Sequence, residues 1–426
     1  MKVYFDTIGC RLNQSEIERM AAQARLNGHE VVPDAAQADV VIINTCAVTL
    51  AASADSRKKI RQAARQSTAR IVTTGCYATI APEELLDIPG VSANFSNFEK
   101  DEIIKRVLGG GPQDSVLIPR MALPGKQHRT RAFIKVQDGC DNLCTFCLTR
   151  LARGSSRSQT QAEIFDDIRS AMKGGVKEIV LTGVNLGAWG TDLDGSPRLP
   201  SLIKKIIHEF KPARLRLSSL EPWDISDDFL EILRLPGFCR HLHLPLQSGA
   251  VQTLKRMGRR NTPADFRILV EKIRAVVPEI ALTTDIMVGF PGETEADFQE
   301  SLAFVESMQF AGGHVFSYSL RPGTAAEKLP ERVSAADKKN RSQSMRAAID
   351  LASTEYRNKF VGATEYVLWE KAIRVGTSWE MEGLTDTYLR VSAQSDQDLH
   401  NCVSEVVLQK GKEQEIRGVI KSGKMM

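Results

Sequence analysis

The chain has 426 residues, 42% of them hydrophobic and 25% charged, with 56 Lys and Arg against 52 Asp and Glu. That length provides for two or three domains with sizeable cores, and the composition excludes a disordered, collagenous or disulfide-scaffold protein. The longest apolar stretch, around Val40 to Ile43, is far too short for a membrane span, and the start MKVYFDTIGC lacks the basic, apolar and small-residue segments of a secretory signal, so a cytoplasmic location without a membrane partner is expected.

Residues 1–108 alternate short β-branched runs (VYF, DVVIINT, RIVTTGC) with helical patterns, which predicts a parallel sheet covered by helices, of Rossmann or flavodoxin type. In the first helix Ile17, Met20, Ala21 and Ala24 share a face, Asn13 and Glu16 have the spacing of a capping box, and Gly28 ends the run. Residues 109–130, beginning Gly109-Gly110-Gly111-Pro112, read as a polar linker. Over 131–358 the alternation resumes in AFIKVQ, EIVLTG, RLRLSS, RHLHLPL, ALTTDIMVG and HVFSYS. Six strands with helices between them suit an open (β/α)6 barrel with its chemistry at the C-terminal strand ends. A charged helix over 335–358 leads into residues 361–426, where EYVLWE, TYLRVSA, CVSEVVLQ and IRGVIKSG predict a small antiparallel β-barrel.

Six of the eight cysteines form two groups. Cys140, Cys144 and Cys147 lie within GCDNLCTFC, directly after the first barrel strand. Three thiolates in eight residues face one point if the backbone loops around it, and a four-iron cubane held by three cysteines keeps one iron open for a substrate. Zinc is the alternative, with His128 as the nearest fourth ligand. Cys10, Cys46 and Cys76 each fall at or just past the end of a predicted strand, the edge where open parallel sheets bind ligands. Singly each reads as a small buried hydrophobe; three at equivalent positions predict a second cluster. Around the tight group, Arg120, Lys126, Arg129, Arg131, Lys135, Arg150, Arg153 and Arg157 are opposed only by Asp138 and Asp141, a local positive field suited to an anionic cluster, cofactor or RNA. Cys239 and Cys402 belong to no motif and are expected to be structural.

The C-x3-C-x2-C spacing, with Phe146 before the last cysteine, resembles the radical S-adenosylmethionine enzymes. The resemblance implies that the open iron chelates S-adenosylmethionine and that its cleavage yields a 5′-deoxyadenosyl radical. It also implies cofactor contacts from Thr182, Gly183 and Asn185 after the second strand, from Ser218, Ser219 and Glu221 after the third, and from Gln247 and Val288 at later strand ends. Over nearly its whole length the chain resembles the methylthiotransferases, in GCRLNQSE, INTCAVT, TGCYA, ARGSSRS, LPLQSG, LKRMGRRNT and GFPGETEADF, followed by a C-terminal domain similar to the family's RNA-binding TRAM barrel. This implies two [4Fe-4S] clusters: Cys10, Cys46 and Cys76 hold an auxiliary one that supplies sulfur, and Cys140, Cys144 and Cys147 hold the one that makes the radical. One S-adenosylmethionine serves as methyl donor and a second as radical source, and a flavodoxin- or ferredoxin-type protein is the implied reductant.

The family's branches modify a prenylated adenosine or a threonylcarbamoylated adenosine next to the tRNA anticodon, or an aspartate of a ribosomal protein. LTGVNLGAWG and ARGSSRS look most like the threonylcarbamoyladenosine branch. After the last cysteine the family commonly has two apolar residues, Pro and an aromatic, where this chain has Leu148-Thr149-Arg150-Leu151. Arg150 is a candidate for the threonyl carboxylate, or a solvated loop residue. Arg153, Arg157, Lys255, Arg256, Arg259 and Arg260 are candidate contacts to an anticodon stem-loop; residues 361–426 carry eight Lys or Arg against ten Asp or Glu and add no net positive charge. The reading from a different class is an RNA-binding iron–sulfur scaffold without turnover.

Overall fold

The computed structural model describes residues 1–109, 120–121, 123–124, 130–412 and 415–425, so most of the expected linker, with His128, lies outside the described residues. Strands β1 (Lys2–Thr7), β2 (Glu30–Val31), β3 (Val40–Thr45), β4 (Arg70–Gly75) and β5 (Val91–Phe95) form a parallel sheet in the order β2-β1-β3-β4-β5. β3 is buried along its whole length, which explains its unbroken apolar run. Its alternate residues feed two cores: Val40 and Ile42 pack with Phe5, Ile17 and Met20, whereas Val41 and Ile43 pack with Ile60, Ile71 and Tyr77. The chain goes from β1 to β2 on one side and returns to β3 on the other. The strand order therefore reverses between β1 and β3, where such sheets open a ligand crevice.

The first helix spans Arg11–Leu26 and starts earlier than its sequence spacing predicts. Cys10 is its N-cap and has no side-chain cap bond, so Asn13 and Glu16 form no capping box. Both are buried inside the helix and their side chains bond to distant partners instead.

The second unit has parallel strands β6 (Arg131–Lys135), β9 (Glu178–Thr182), β10 (Arg214–Leu217), β11 (His241–His243), β12 (Ala281–Val288) and β13 (Gly312–Ser317), with a short ribbon of β7 (Gln137–Asp138) and β8 (Arg157–Ser158) after β6. They pair as two three-stranded halves, β10-β9-β6 and β11-β12-β13, joined by bridges Leu215–Phe238 and Ser219–His243. β6 and β13 do not pair, so the barrel is open there. Helix Arg11–Leu26 packs along β6, and Lys135 N–H donates to Ser15 Oγ (3.2 Å). The first unit is thereby fixed beside the open side.

Helix Ala335–Asn358 packs on β13 and leads into a closed barrel of β14 (Thr364–Val375), β15 (Ser378–Thr385), β16 (Arg390–Ser395), β17 (Val403–Lys410) and β18 (Ile416–Met425). The all-antiparallel expectation is corrected at one pair, since β16 and β18 run parallel to close the barrel. Buried Arg214 and Arg216 of β10 donate to carbonyls of Leu384 (2.6 Å) and Asp386 (3.0 Å), tying this barrel to the larger one. Among the described residues no helix is long and apolar enough to cross a membrane.

Candidate active site

The dispersed cysteines sit on adjacent strand ends. Cys10 lies three residues past the end of β1, Cys46 immediately follows β3, and Cys76 immediately follows β4. They lie close enough for their charges to act on one another. Two glycines make the approach feasible. Gly9 has φ +106°, and a Cβ there would lie 2.7 Å from Cys46 Sγ; Gly75 has φ +105°, and a Cβ there would lie 2.3 Å from the Thr45 carbonyl oxygen. Both positions demand a residue without a side chain. Burial pushes the Cys46 thiol up to about 11, so a cluster bound there would have to displace its proton.

The tight group lies on the loop after β7. Cys140 N–H donates to the Gly154 carbonyl (3.1 Å), and Thr145 is pinned to the Met257 and Arg256 carbonyls. Each sulfur has a donor: Asn142 N–H on Cys140 (3.4 Å), Arg259 Nη1 on Cys144 (3.7 Å) and Thr149 N–H on Cys147 (3.4 Å). Such donors stabilise negative charge on cluster ligands. Among the described residues no three His, Cys, Asp or Glu side chains close on a point that fits a single metal ion.

Polar atoms at the same barrel edge fit a cofactor. Asn185 Oδ1 and Ser218 Oγ, expected to contact S-adenosylmethionine, and Asn142 Nδ2 are buried without a hydrogen-bond partner among the described residues. Leaving such atoms unpaired costs about 1–3 kcal/mol each, and a polar ligand at this edge would offset it. Gln137, absent from the sequence expectations, organises the edge: its Nε2 donates to Gly139 O (2.8 Å) and Ser156 Oγ (2.9 Å), and its Oε1 accepts from Asn185 N–H (2.8 Å). Thr182 is buried at the end of β9 and Gly183 lies against Gln137. Ser219 bridges to β11, and Glu221 pairs with Arg259 (2.6 Å). Val288 packs in the barrel core, so its side chain is taken up by packing. Gln247, at φ +70°, and Phe146 line a cavity.

Asp224, in the turn after Glu221, has a carboxyl pushed up to about 6, by burial first and then by the Glu221 charge. A raised carboxyl stabilises the fold fully only below its unfolded value near 4, and that contribution is lost as pH rises through 6. Asp224→Asn is therefore expected to raise stability at pH 7.5 by up to about 3 kcal/mol, read as an increase in Tm that disappears towards pH 4.

The two cysteine groups are joined by a buried ionic cluster. Arg153, 2% exposed, donates to Cys76 Sγ (3.3 Å), Asn13 Oδ1 (2.7 Å), Glu16 (2.9 Å) and Asp138 (2.9 Å). Lys100 (2.5 Å) and Lys135 (3.4 Å) also pair with Glu16. Burial alone would raise the Glu16 pKa, but the Arg153, Lys100 and Lys135 charges hold it well below the carboxylate range. Thus Arg153 is no RNA contact. The same correction applies to Arg259, buried against Glu221 and Cys144, while Arg256 is half-buried on Asp297. Arg150, Arg157, Lys255 and Arg260 are exposed, and Arg150 lies in helix Thr149–Arg153. The local positive field is also smaller than the sequence count implies, since Arg120 pairs with Asp167 and Arg131 with Glu370.

Between the groups lies a cavity of ≈ 220 Å³. Cys76 and Val48 of the first unit line it together with Cys147 and Phe146 of the second, and Asp285 and Arg321 are its ionisable lining residues besides the cysteines and Tyr318. Neither Asp285 nor Arg321 was signalled by a motif; both follow from their positions on and after the strands at the barrel's open side.

Two family models match, "Uncharacterized protein family UPF0004" over residues 2–95 and "Radical SAM superfamily" over 134–305. The chain is 38% identical over 399 residues to threonylcarbamoyladenosine tRNA methylthiotransferase MtaB of Thermotoga maritima, covering 91% of this chain and 90% of that protein. The chain belongs to the radical SAM methylthiotransferase family. Another relative is tRNA-2-methylthio-N(6)-dimethylallyladenosine synthase of Geobacter metallireducens, 31% identical over 96% of this chain and 94% of that protein. The radical S-adenosylmethionine methyltransferase TsrM of Kitasatospora setae has a similar fold: TM-score 0.59, 15% identity, 76% of this methylthiotransferase-family chain and 75% of that one.

Proposed function

We propose that this enzyme methylthiolates carbon 2 of N6-threonylcarbamoyladenosine (t6A) next to the anticodon of tRNA, giving ms2t6A, with two S-adenosylmethionine per turnover. The observation that carries the reading is one cavity lined by both Cys76 and Cys147. A carbon held there has a ligand of the sulfur source and a ligand of the radical source beside it. The substrate assignment is supported by relatives named for threonylcarbamoyladenosine at 33–38% identity.

When bound, two [4Fe-4S] clusters, on Cys10, Cys46 and Cys76 and on Cys140, Cys144 and Cys147, supply with S-adenosylmethionine the electron, methyl group, sulfur and hydrogen-abstracting radical. The chain's own residues hold and shield the reacting carbon. Val48, Ile80, Phe146, Met287 and Phe316 make much of the cavity lining apolar, which excludes water from a radical step. Phe316, 41% exposed, offers a ring on which an unstacked base can lie. Asp285 Oδ1, unpartnered and at the cavity, is an acceptor for a base N–H. Arg150, Arg157, Lys255 and Arg260 are available to phosphates, and a flavodoxin- or ferredoxin-type protein is the expected electron donor in the cytoplasm.

The test is anaerobic turnover of the reconstituted enzyme on anticodon stem-loops bearing t6A or prenylated adenosine, and on the ribosomal protein, with products read by mass spectrometry. Methylthiolation of t6A alone is expected. Modification of the prenylated base or the aspartate instead would reject the substrate, and no 5′-deoxyadenosine from any of them would favour the scaffold.

A further inference from the structure

Two buried arginines flank the dispersed cysteines, and they differ in what balances their charge. Arg153 is neutralised by Glu16 and Asp138. Arg321, on the segment after β13, is 7% exposed, and no carboxylate lies within ion-pair distance of it among the described residues. One guanidinium nitrogen donates to the Val48 carbonyl (3.0 Å), two residues past Cys46. Burial pushes its pKa down, and Cys46 and Tyr318 are the ionisable groups near enough to act on it. Its side chain borders the cavity shared by Cys76 and Cys147. A cation removed from water needs an anion to offset its desolvation, and among the described residues no carboxylate, the cavity's Asp285 included, pairs with Arg321.

We propose that Arg321 is a positioning residue that holds the sulfur to be transferred, as an anionic alkylthiolate, at the cavity wall beside Cys46. Two observations favour sulfur over a substrate carboxylate. Arg321 is tied to the Cys46 loop, the side proposed to supply sulfur. The same chain already sets a guanidinium on a cysteine sulfur, Arg153 on Cys76 at 3.3 Å. Arg321 fixes direction: a soft anion held there faces the cavity and not the sheet. This inference rests on the two-cluster reading above.

The test is equilibrium binding of radiolabelled methanethiolate to the anaerobically reconstituted full-length enzyme, for wild type, Arg321→Lys and Arg321→Met. Iron content and RNA-independent S-adenosylmethionine cleavage are measured alongside. Losing a charge-assisted bond is expected to weaken methanethiolate binding by about tenfold or more in Arg321→Met, with partial rescue in Arg321→Lys, while iron and cleavage stay at wild-type levels. Unchanged methanethiolate binding in Arg321→Met overturns the proposal. So does loss of iron in that variant, which would make Arg321 structural. A defect confined to affinity for t6A RNA, with binding of RNA bearing a neutral base modification unaffected, assigns Arg321 to a substrate carboxylate and also overturns it. Wild type that carries iron for one cluster and binds no methanethiolate would instead reject the function on which the inference rests.

Discussion

Cys46→Ala is expected to lower the iron content of the reconstituted enzyme from ~8 per chain to about half, and to abolish the methylthiolated product. S-adenosylmethionine cleavage should persist, because Cys140, Cys144 and Cys147 lie on a separate loop held by Gly154, Met257 and Arg256. The variant loses a ligand, and its packing cost is small: Cys46 is a small buried side chain at a strand end. Iron analysis, 5′-deoxyadenosine and nucleoside mass spectrometry on one preparation check all three statements. Equal iron in both proteins would overturn the two-cluster assignment.

Arg153→Met should have the largest effect on stability of any change away from the cysteines. Methionine fills similar space but leaves Glu16 and Asp138 buried with less compensation, and Asn13 Oδ1 and Cys76 Sγ lose donors. Breaking a buried pair by removing one partner costs about 3–5 kcal/mol. Lys100 and Lys135 remain near Glu16 and temper the loss at that carboxylate. Denaturant unfolding of the variant should give a markedly lower midpoint. Its auxiliary cluster signal should change more than the radical cluster signal, because Cys76 is the sulfur that Arg153 touches. A wild-type midpoint would mean the ionic cluster contributes no net stability.

The fold was legible where one residue type dominates a run. VVIINT and RIVTTG announce buried parallel strands because branched apolar side chains suit both faces of such a sheet. β15 went unrecognised because SWEMEGLT interleaves charge and glycine and gains its apolar character only inside a closed barrel. The Asn13–Glu16 spacing misled for a related reason: local geometry favoured a cap, while Arg153, 137 residues beyond Glu16, claims both side chains. In the sequence Arg153 and Arg259 count as available charge, since a count cannot see a partner brought in by folding. The cysteines were legible because strand-end position depends only on local pattern, whereas Arg321 and Asp285 join them only through the packing of β12, β13 and the Cys46 loop.

Helix Thr149–Arg153 begins two residues after Cys147 and ends on the arginine bonded to Cys76. It is a covalent ruler between the two sulfur sites, spanning about 6 Å of helix rise. In its middle Arg150 and Leu151 are exposed and free to vary, whereas Ala152 is buried. Its length is not free: one inserted residue would turn Arg153 by about 100° away from Cys76. Chain length in this segment, more than its chemistry, therefore sets the spacing of Cys147 and Cys76, the gap across which the proposed transfer of sulfur runs.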